Sequence, residues 1–386
     1  MTRSPQLRLT LLALVFAVLA AFPAAAMAKR GDVKVMSRNV YLGADLGPGT
    51  SATSLQELVN AAGVILNEVD TNDFSVRARG LAAEIRERNP HLVGLQEVAL
   101  WRTAPCTNSP IPPSATTVRW DFLQLLMTEL NRGGARYRVA IAQPEFDFEV
   151  YVNQDGNEQT AAPGCPLGSE LNGRLTMRDV ILVKRRGVRT SGAQGAAFDT
   201  LLQVRPGGVP VNITRGWTRV VARISGVGRF NFVNTHLEAF DNQASNNTND
   251  GETVGNGEVR QAQARELVAR DGPARSKLRT ILLGDLNSDV RTEVRPGDSL
   301  AYRALLAARF VERSTFRIMS CCLNTSLMPV SGGGQFSDFD HIVDHVMTNK
   351  PRKVRFRRGA VTGRQPVNGF WNSDHAGLYS LLNLRR

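Results

Sequence analysis

The chain has 386 residues, 42% of them hydrophobic, and carries 47 Lys and Arg against 35 Asp and Glu, a formal charge of +12. That length and apolar content exclude a disordered chain and a core-less miniature protein; they suffice for one large domain or two modest ones. A sequence pI of about 10.2 favours polyanionic partners such as nucleic acid or anionic lipid, the bland alternative being an Arg-rich composition that merely keeps an exported protein soluble.

Residues Met1 to Ala28 read as a signal peptide. Arg3 and Arg8 form a charged start, Leu11 to Phe22 is an apolar run too short to span a bilayer, and Ala26-Met27-Ala28 is a small-x-small cleavage site. The expectation is a secreted or periplasmic chain that starts near Lys29, and removal of the two arginines takes its charge from +12 to +10. No other stretch is long and apolar enough to cross a membrane. Four cysteines in an exported chain favour disulfides over metal. Cys106 and Cys165 lie in Pro-containing, loop-like stretches and are the expected pair, with the adjacent Cys321 and Cys322 either bridged to each other or reduced.

In chain order, Val33 to Val40 reads as a first strand that ends at Arg38-Asn39. Ser54 to Val69 and Asp73 to Arg88 read as helices; Ala78, Leu81, Ala82 and Ile85 give the second an apolar stripe, and Asn89-Pro90 stops it. His91 to Val98 is a buried strand that ends in Gln96-Glu97. Thr117 to Asn131 reads as a helix stopped by Gly133-Gly134. Tyr137 to Ala142 is a strand, followed by a polar excursion from Glu145 to Gly173. Asp179 to Lys184, Thr218 to Ile224 and Arg229 to His236 read as strands, and Asp241 to Gly257 as a loop poor in apolar residues. Glu258 to Arg270 is a helix leading into the short strand at Ile281. Alternating strands and helices without a linker predict one domain, residues 29–386, built as an α/β sandwich.

Several apolar runs end in acid, amide or imidazole groups: Ser37-Arg38-Asn39, Leu95-Gln96-Glu97-Val98, Asn234-Thr235-His236-Leu237-Glu238, Gly284-Asp285-Leu286-Asn287 and Ser373-Asp374-His375. Asp285 and Asn287 are two apart, so in extended backbone they share a side and could hold and orient a water. Val343-Asp344-His345-Val346 sets an acid inside an apolar stretch, where an unpaired charge is costly. So many carboxylates at strand ends predict a common hard divalent cation, magnesium or calcium rather than zinc. His91 and His345 read as structural, and Arg352 to Arg358 as a solvated face. Arg215-Gly216-Trp217, before the strand at Thr218, and Tyr41 to Asp45, after Asn39, are unassigned; both could contact the leaving group, and neither decides which one it is.

Taken together and in this order, from Val33 to about Leu384, these motifs resemble the deoxyribonuclease-I-like endonuclease/exonuclease/phosphatase superfamily. The resemblance implies a four-layered α/β sandwich, two packed mixed sheets flanked by helices, with a phosphodiesterase or phosphatase site at the sheet edges. It implies Glu97, Asn39 and Asp374 at a Mg2+ site that could also take Mn2+ or Ca2+. It further implies Asp285 and Asn287 as the pair that activates water and contacts phosphate, and His375 as the catalytic imidazole oriented by Asp344. His236 becomes a candidate general acid, for which strand placement offers Asp179 as the carboxylate holding the ring. Asp340-His341-Ile342 mimics Asp344-His345-Val346 four residues earlier; Asp344 is chosen because Val346-Met347 continues its strand. The chain lacks the usual Arg before the Ile-Asp pair and any clear minor-groove arginine loop. The expected activity is phosphodiester hydrolysis by a monomer, with nucleic acid as first substrate class and sphingomyelin or inositol phosphate as alternative. A phosphate-binding module without turnover is the reading from another class.

Overall fold

The computed structural model describes residues 31–240, 257–289, 291, 297–315, 318–323, 327 and 338–384. The expected signal peptide and residues 241–256 of the expected loop lie outside the described residues. The chain begins with strand β1 (Asp32–Asn39), helix α1 (Leu55–Thr71), helix α2 (Phe74–Arg88) and strand β2 (Leu92–Gln96). Ser54 caps α1 by accepting from Glu57 N, and Asp73 caps α2 by accepting from Ser75 N and Val76 N. Asn89 ends α2 in the left-handed region, φ 48°, and its N–H bonds Ile85 O.

There follow β3 (Leu100–Pro105), β4 (Thr117–Asp121), α3 (Phe122–Leu130), β5 (Tyr137–Val152), β6 (Leu171–Lys184), β7 (Val188–Ala197), β8 (Leu202–Val204) and β9 (Val211–Ile213). The chain continues with β10 (Gly216–Ile224), β11 (Gly228–His236), α4 (Glu258–Val268), β12 (Thr280–Asp285), α5 (Leu300–Ala307) and β13 (Val311–Glu312). It closes with β14 (Asp344–Thr348), β15 (Val354–Thr362) and β16 (Gly377–Leu384).

The strands form two large mixed sheets. One runs β15-β16-β1-β2-β6-β3-β4 with β5 also paired to β6; the other runs β13-β14-β12-β11-β10-β7. One apolar core lies between them, where Val35, Leu92 and Ile181 meet Phe230, Phe232 and Leu283. A second core packs α1, α2 and α3 on the first sheet, and a third packs α4 and α5 on the other. The order helix, sheet, sheet, helix is the expected four-layered sandwich.

Two close contacts bring the sheets together beneath one edge. A Cβ on Gly94 would sit 2.3 Å from Leu283 Cδ1 and 2.4 Å from Asn234 Oδ1, so only glycine lets β2 approach β11 and β12. Asn234 Nδ2 then crosses between the sheets to donate to Leu95 O at 3.1 Å.

Several element boundaries differ from expectation. Thr117–Asp121 is strand rather than helix; β-branched Thr117 and Val118 suit the sheet edge, and Asp121 caps a shorter helix by accepting from Leu123 N and Gln124 N. The supposed excursion at Glu145 is the second half of β5, because Phe146, Phe148, Val150 and Val152 alternate with polar residues along a strand paired to β6. For the same reason β6 begins at Leu171, not Asp179. Strands β3, β7, β8, β9, β13, β15 and β16 and helix α5 had no counterpart in the sequence reading.

Cys106 and Cys165 are joined, with Cα atoms 5.4 Å apart, and Cys321 and Cys322 are bridged to each other. Arg355, Arg357 and Arg358 on β15 are exposed, a solvated face.

Candidate active site

The expected residues meet at the strand ends of both sheets. In the first sheet Asn39 closes β1 and is paired in register with Gln96 at the end of β2. In the second sheet three lateral neighbours carry the chemistry: His236 of β11 faces Asp285 of β12, and Asp285 faces Asp344 of β14. That register also decides between the two similar motifs, because it sets Asp344 and not Asp340 against the site. Asn39 Nδ2 joins the halves, donating to Glu97 Oε1 at 2.9 Å and to Asp285 Oδ2 at 3.0 Å.

Local backbone aims the side chains. Glu97 has φ 57°, Asn287 φ 46° and Tyr41 φ 58°, a region that costs a non-glycine residue energy and collects at functional sites. The turn at Glu97 lifts its carboxylate out of the strand line, where Oε2 accepts from Leu42 N at 2.9 Å. Asn287 N donates to Asp285 Oδ1 at 2.9 Å, and its Nδ2 donates to Leu237 O at 2.9 Å and lies 3.1 Å from His236 Nε2. His375 Nδ1 is 2.9 Å from Asp344 Oδ2, and its Nε2 is 3.6 Å from Asp285 Oδ2. His236 Nε2 lies 3.6 Å from Asp285 Oδ2 and 4.0 Å from Glu97 Oε1.

Ligand atoms of Glu97, His236 and Asp285 lie within 4.8 Å of one another, as do those of Asp285, Asp344 and His375. In the first group the two carboxylates are the oxygen donors that suit a hard divalent ion, and the imidazole stands beside them. Asn39 stands differently from the expected oxygen ligand. Its Oδ1 accepts from Tyr41 N at 2.9 Å, so the amide turns its nitrogen to the carboxylates. Asp374, half-buried with Ser373 Oγ at 3.2 Å, is not part of the Glu97 group; its link to Glu97 is electrostatic.

The two histidines are in opposite electrostatic states. Burial works against a charged His375, yet Asp344, Asp285 and Asp374 hold its pKa well above the ordinary value. For His236 burial, then Arg215 and His375, push the pKa well below it. Burial, with Asp344 adding and His375 opposing, pushes Asp285 up to about 6. Asp374 rises to about 7, by burial and by the charge of Glu97 with His375 opposing.

The expected Asp179–His236 pair does not form. Arg215 occupies that side of the ring, with Nη1 3.3 Å from His236 Nδ1 and Glu238 3.4 Å from its guanidinium. Asp179 faces Glu145 instead. Glu145 sits at a β-bulge between Pro144 and Phe146, which turns its side chain inward. Among the described residues no other group hydrogen-bonds the carboxyl oxygens of this buried pair, which interact with each other.

Sequence reasoning missed several supporting groups. Arg77 is buried and donates to Val40 O at 2.8 Å and to Tyr41 O at 3.2 Å, which fixes the turn after Asn39. Arg38 pairs with Glu84 at 3.1 Å and donates to His375 O. Cys321 Sγ lies 3.4 Å from His375 Nε2. Arg38 stood in the sequence only as part of the Ser37-Arg38-Asn39 strand end, and nothing in Phe74-Ser75-Val76-Arg77-Ala78-Arg79 marks Arg77 as buried. His345, expected to be structural, bridges Glu312 at 2.7 Å and Ser288 O at 3.0 Å.

No protein-family model and no curated protein matches the sequence. Among solved structures the chain is similar to an endonuclease/exonuclease/phosphatase from Beutenbergia cavernae, with 19% identity and a TM-score of 0.51 over 92% of this chain and 72% of that one. It is also similar to an endonuclease/exonuclease/phosphatase family protein from Bacteroides thetaiotaomicron, with 12% identity and a TM-score of 0.51 over 91% of this chain and 97% of that one. At such identities the likeness is one of architecture, and it agrees with the order of the motifs: the chain has the fold of the endonuclease/exonuclease/phosphatase superfamily.

Proposed function

We propose that this chain is an exported, divalent-metal-dependent phosphodiesterase, one catalytic domain over residues 29–386 that acts as a monomer. The observation that carries the reading is the meeting of Glu97, His236 and Asp285, brought from both sheets to within ligand distance of one another. The two carboxylates, Glu97 and Asp285, fit magnesium first, with manganese or calcium as substitutes. Bound there, the ion would neutralise charge that builds on the phosphoryl oxygens.

The side chains supply the rest. Asp285, which accepts from Asn287 N, is placed to take a proton from an attacking water, with Asn287 beside it to orient that water. His375, kept charged by Asp344, stabilises the phosphoryl oxygens and can return a proton to the departing alkoxide. Water forms the new P–O bond as the ester P–O bond breaks. His236, pushed towards the neutral form, serves as ligand or positioner, a revision of its expected part as general acid. Asp374 then acts as a nearby carboxylate that adds negative field.

The +10 charge left after signal removal favours a polyanionic substrate, nucleic acid first. A second reading, a lipid-like phosphoester, is supported by an apolar cavity of about 120 Å3 whose lining includes Arg215, the residue beside His236. The reading is tested by Glu97→Gln. Magnesium or manganese affinity, measured by calorimetry, should fall at least about tenfold, one ligand's share, while circular dichroism stays unchanged. Unaltered metal affinity would sink the assignment.

A further inference from the structure

Four segments that leave the catalytic edge run into the walls of a single cavity. Leu46 follows Asn39, Trp101 follows Glu97, Phe240 follows His236, and Arg215 precedes Gly216, the register partner of His236. The cavity measures about 120 Å3. Its far walls come from α1, from β5 and β6, and from the β8–β9 hairpin, whose contributions include Ile65, Phe148, Leu175 and Ile213. Among the described residues Arg215 is the one charged residue lining it, and that same guanidinium touches His236. Leu46, Phe146, Phe148 and Phe240 are only partly buried, so the chamber is reachable from outside.

An apolar space of this size destabilises a fold that leaves it empty. Cavities of comparable size lined by aliphatic and aromatic groups accept small hydrocarbons such as benzene. A nucleobase fits poorly, because its ring edges carry several donors and acceptors and the lining offers almost none. An alkyl or aryl group of roughly five or six carbons matches both volume and lining. An anionic phosphate attached to it matches the guanidinium at the boundary.

We propose that this cavity is a subsite for a hydrocarbon group carried by the phosphoester substrate, with the phosphate held at the Glu97–Asp285 edge and Arg215 at the junction. The inference rests on the phosphodiesterase reading and, of its two substrate readings, takes the lipid-like ester with an apolar group next to the phosphate over nucleic acid. Net charge is thereby left to serve attraction to an anionic surface rather than base recognition.

The test uses the oxidised mature chain with magnesium, methyl phosphate and hexyl phosphate as binding probes, and methyl and hexyl 4-nitrophenyl phosphodiesters as substrates. Hexyl phosphate should bind at least tenfold more tightly than methyl phosphate, since each buried methylene contributes severalfold. The hexyl diester should show the same advantage in kcat/KM. Ala62→Leu and, independently, Val150→Phe reduce the cavity without touching the catalytic groups. Each should erase the hexyl advantage while leaving methyl phosphate binding unchanged; two variants guard against one that does not fold.

Equal affinity for both probes in the wild type would overturn the subsite. So would a chain-length effect that survives both filling variants, because the apolar contact would then lie elsewhere. Plasmid DNA cleaved faster than the hexyl diester, and unaffected by filling, would overturn the substrate class. Chain-length-dependent binding without turnover of any ester would leave the subsite standing and defeat the phosphodiesterase reading instead.

Discussion

His236 and His375 are both buried at one edge, yet their neighbours assign them opposite charge. Asp344 sits behind His375, whereas Arg215 sits behind His236. A neutral imidazole cannot give up a proton to a leaving group at reasonable cost. His236→Ala should therefore lower the rate on the order of a hundredfold for an ordinary alkyl ester, and by a similar factor for a nitrophenyl ester. A much smaller loss on the nitrophenyl ester would restore the general-acid role.

The buried Glu145–Asp179 pair makes a separate prediction. Burial first pushes both groups well above the ordinary carboxyl range; the Asp179 charge adds to it at Glu145, Asp285 and Glu97 add to it at Asp179, and Arg215 opposes at both. The folded state thus keeps protons that the unfolded chain releases above about pH 4. Stability from this pair is full below that pH and declines as pH rises through the folded values. Glu145→Gln removes one titrating partner, so it should raise stability at pH 8 by on the order of 1 kcal/mol and change it little at pH 4.5. Urea unfolding at the two pH values decides; the same shift at both would contradict the account.

At the scale of elements, β12 sets the site, because its two neighbours bring His236 and Asp344 to Asp285. Its register depends on Gly284, at φ 148°, where a Cβ would lie 1.8 Å from Thr235 O on β11. Gly284→Ala should therefore cost about 3 kcal/mol or more, read as a lowered unfolding midpoint together with loss of activity. A variant with unchanged midpoint would show that the β11–β12 pairing is looser than the structure has it.

The strands β1, β2, β11 and β12 were legible in the sequence because each is a short apolar run that ends in a chemical group. The second half of β5 was not, since Pro144 and the acids between its aromatics outweighed the alternation. Arg215 and Cys321 reach the site only through pairings far along the chain, 54 residues for Cys321 and His375, and periodicity carries no such information. Glu145 faces inward only because a bulge turns it, and local pattern does not show where a bulge falls.

At the scale of the whole molecule, each sheet holds half of a site that works only when the two are packed together. Gly94 and Asn234 hold that packing directly beneath the catalytic edge. The Cys106–Cys165 bridge, with a sequence separation of 59 residues, ties the region around the β5–β6 hairpin and contributes about 4 kcal/mol on a chain-entropy estimate. Oxidised protein is therefore the form in which activity should be measured.

The central claim is metal-dependent hydrolysis at the edge shared by both sheets. The direct measurement is turnover of bis(4-nitrophenyl) phosphate by the oxidised mature chain, before and after removal of metal with EDTA, and after magnesium or manganese is restored. Turnover should vanish on removal and return on addition, and Glu97→Gln should need more metal to recover. Undiminished turnover in the metal-free protein, or a folded, magnesium-loaded protein that hydrolyses no phosphoester, would contradict the account.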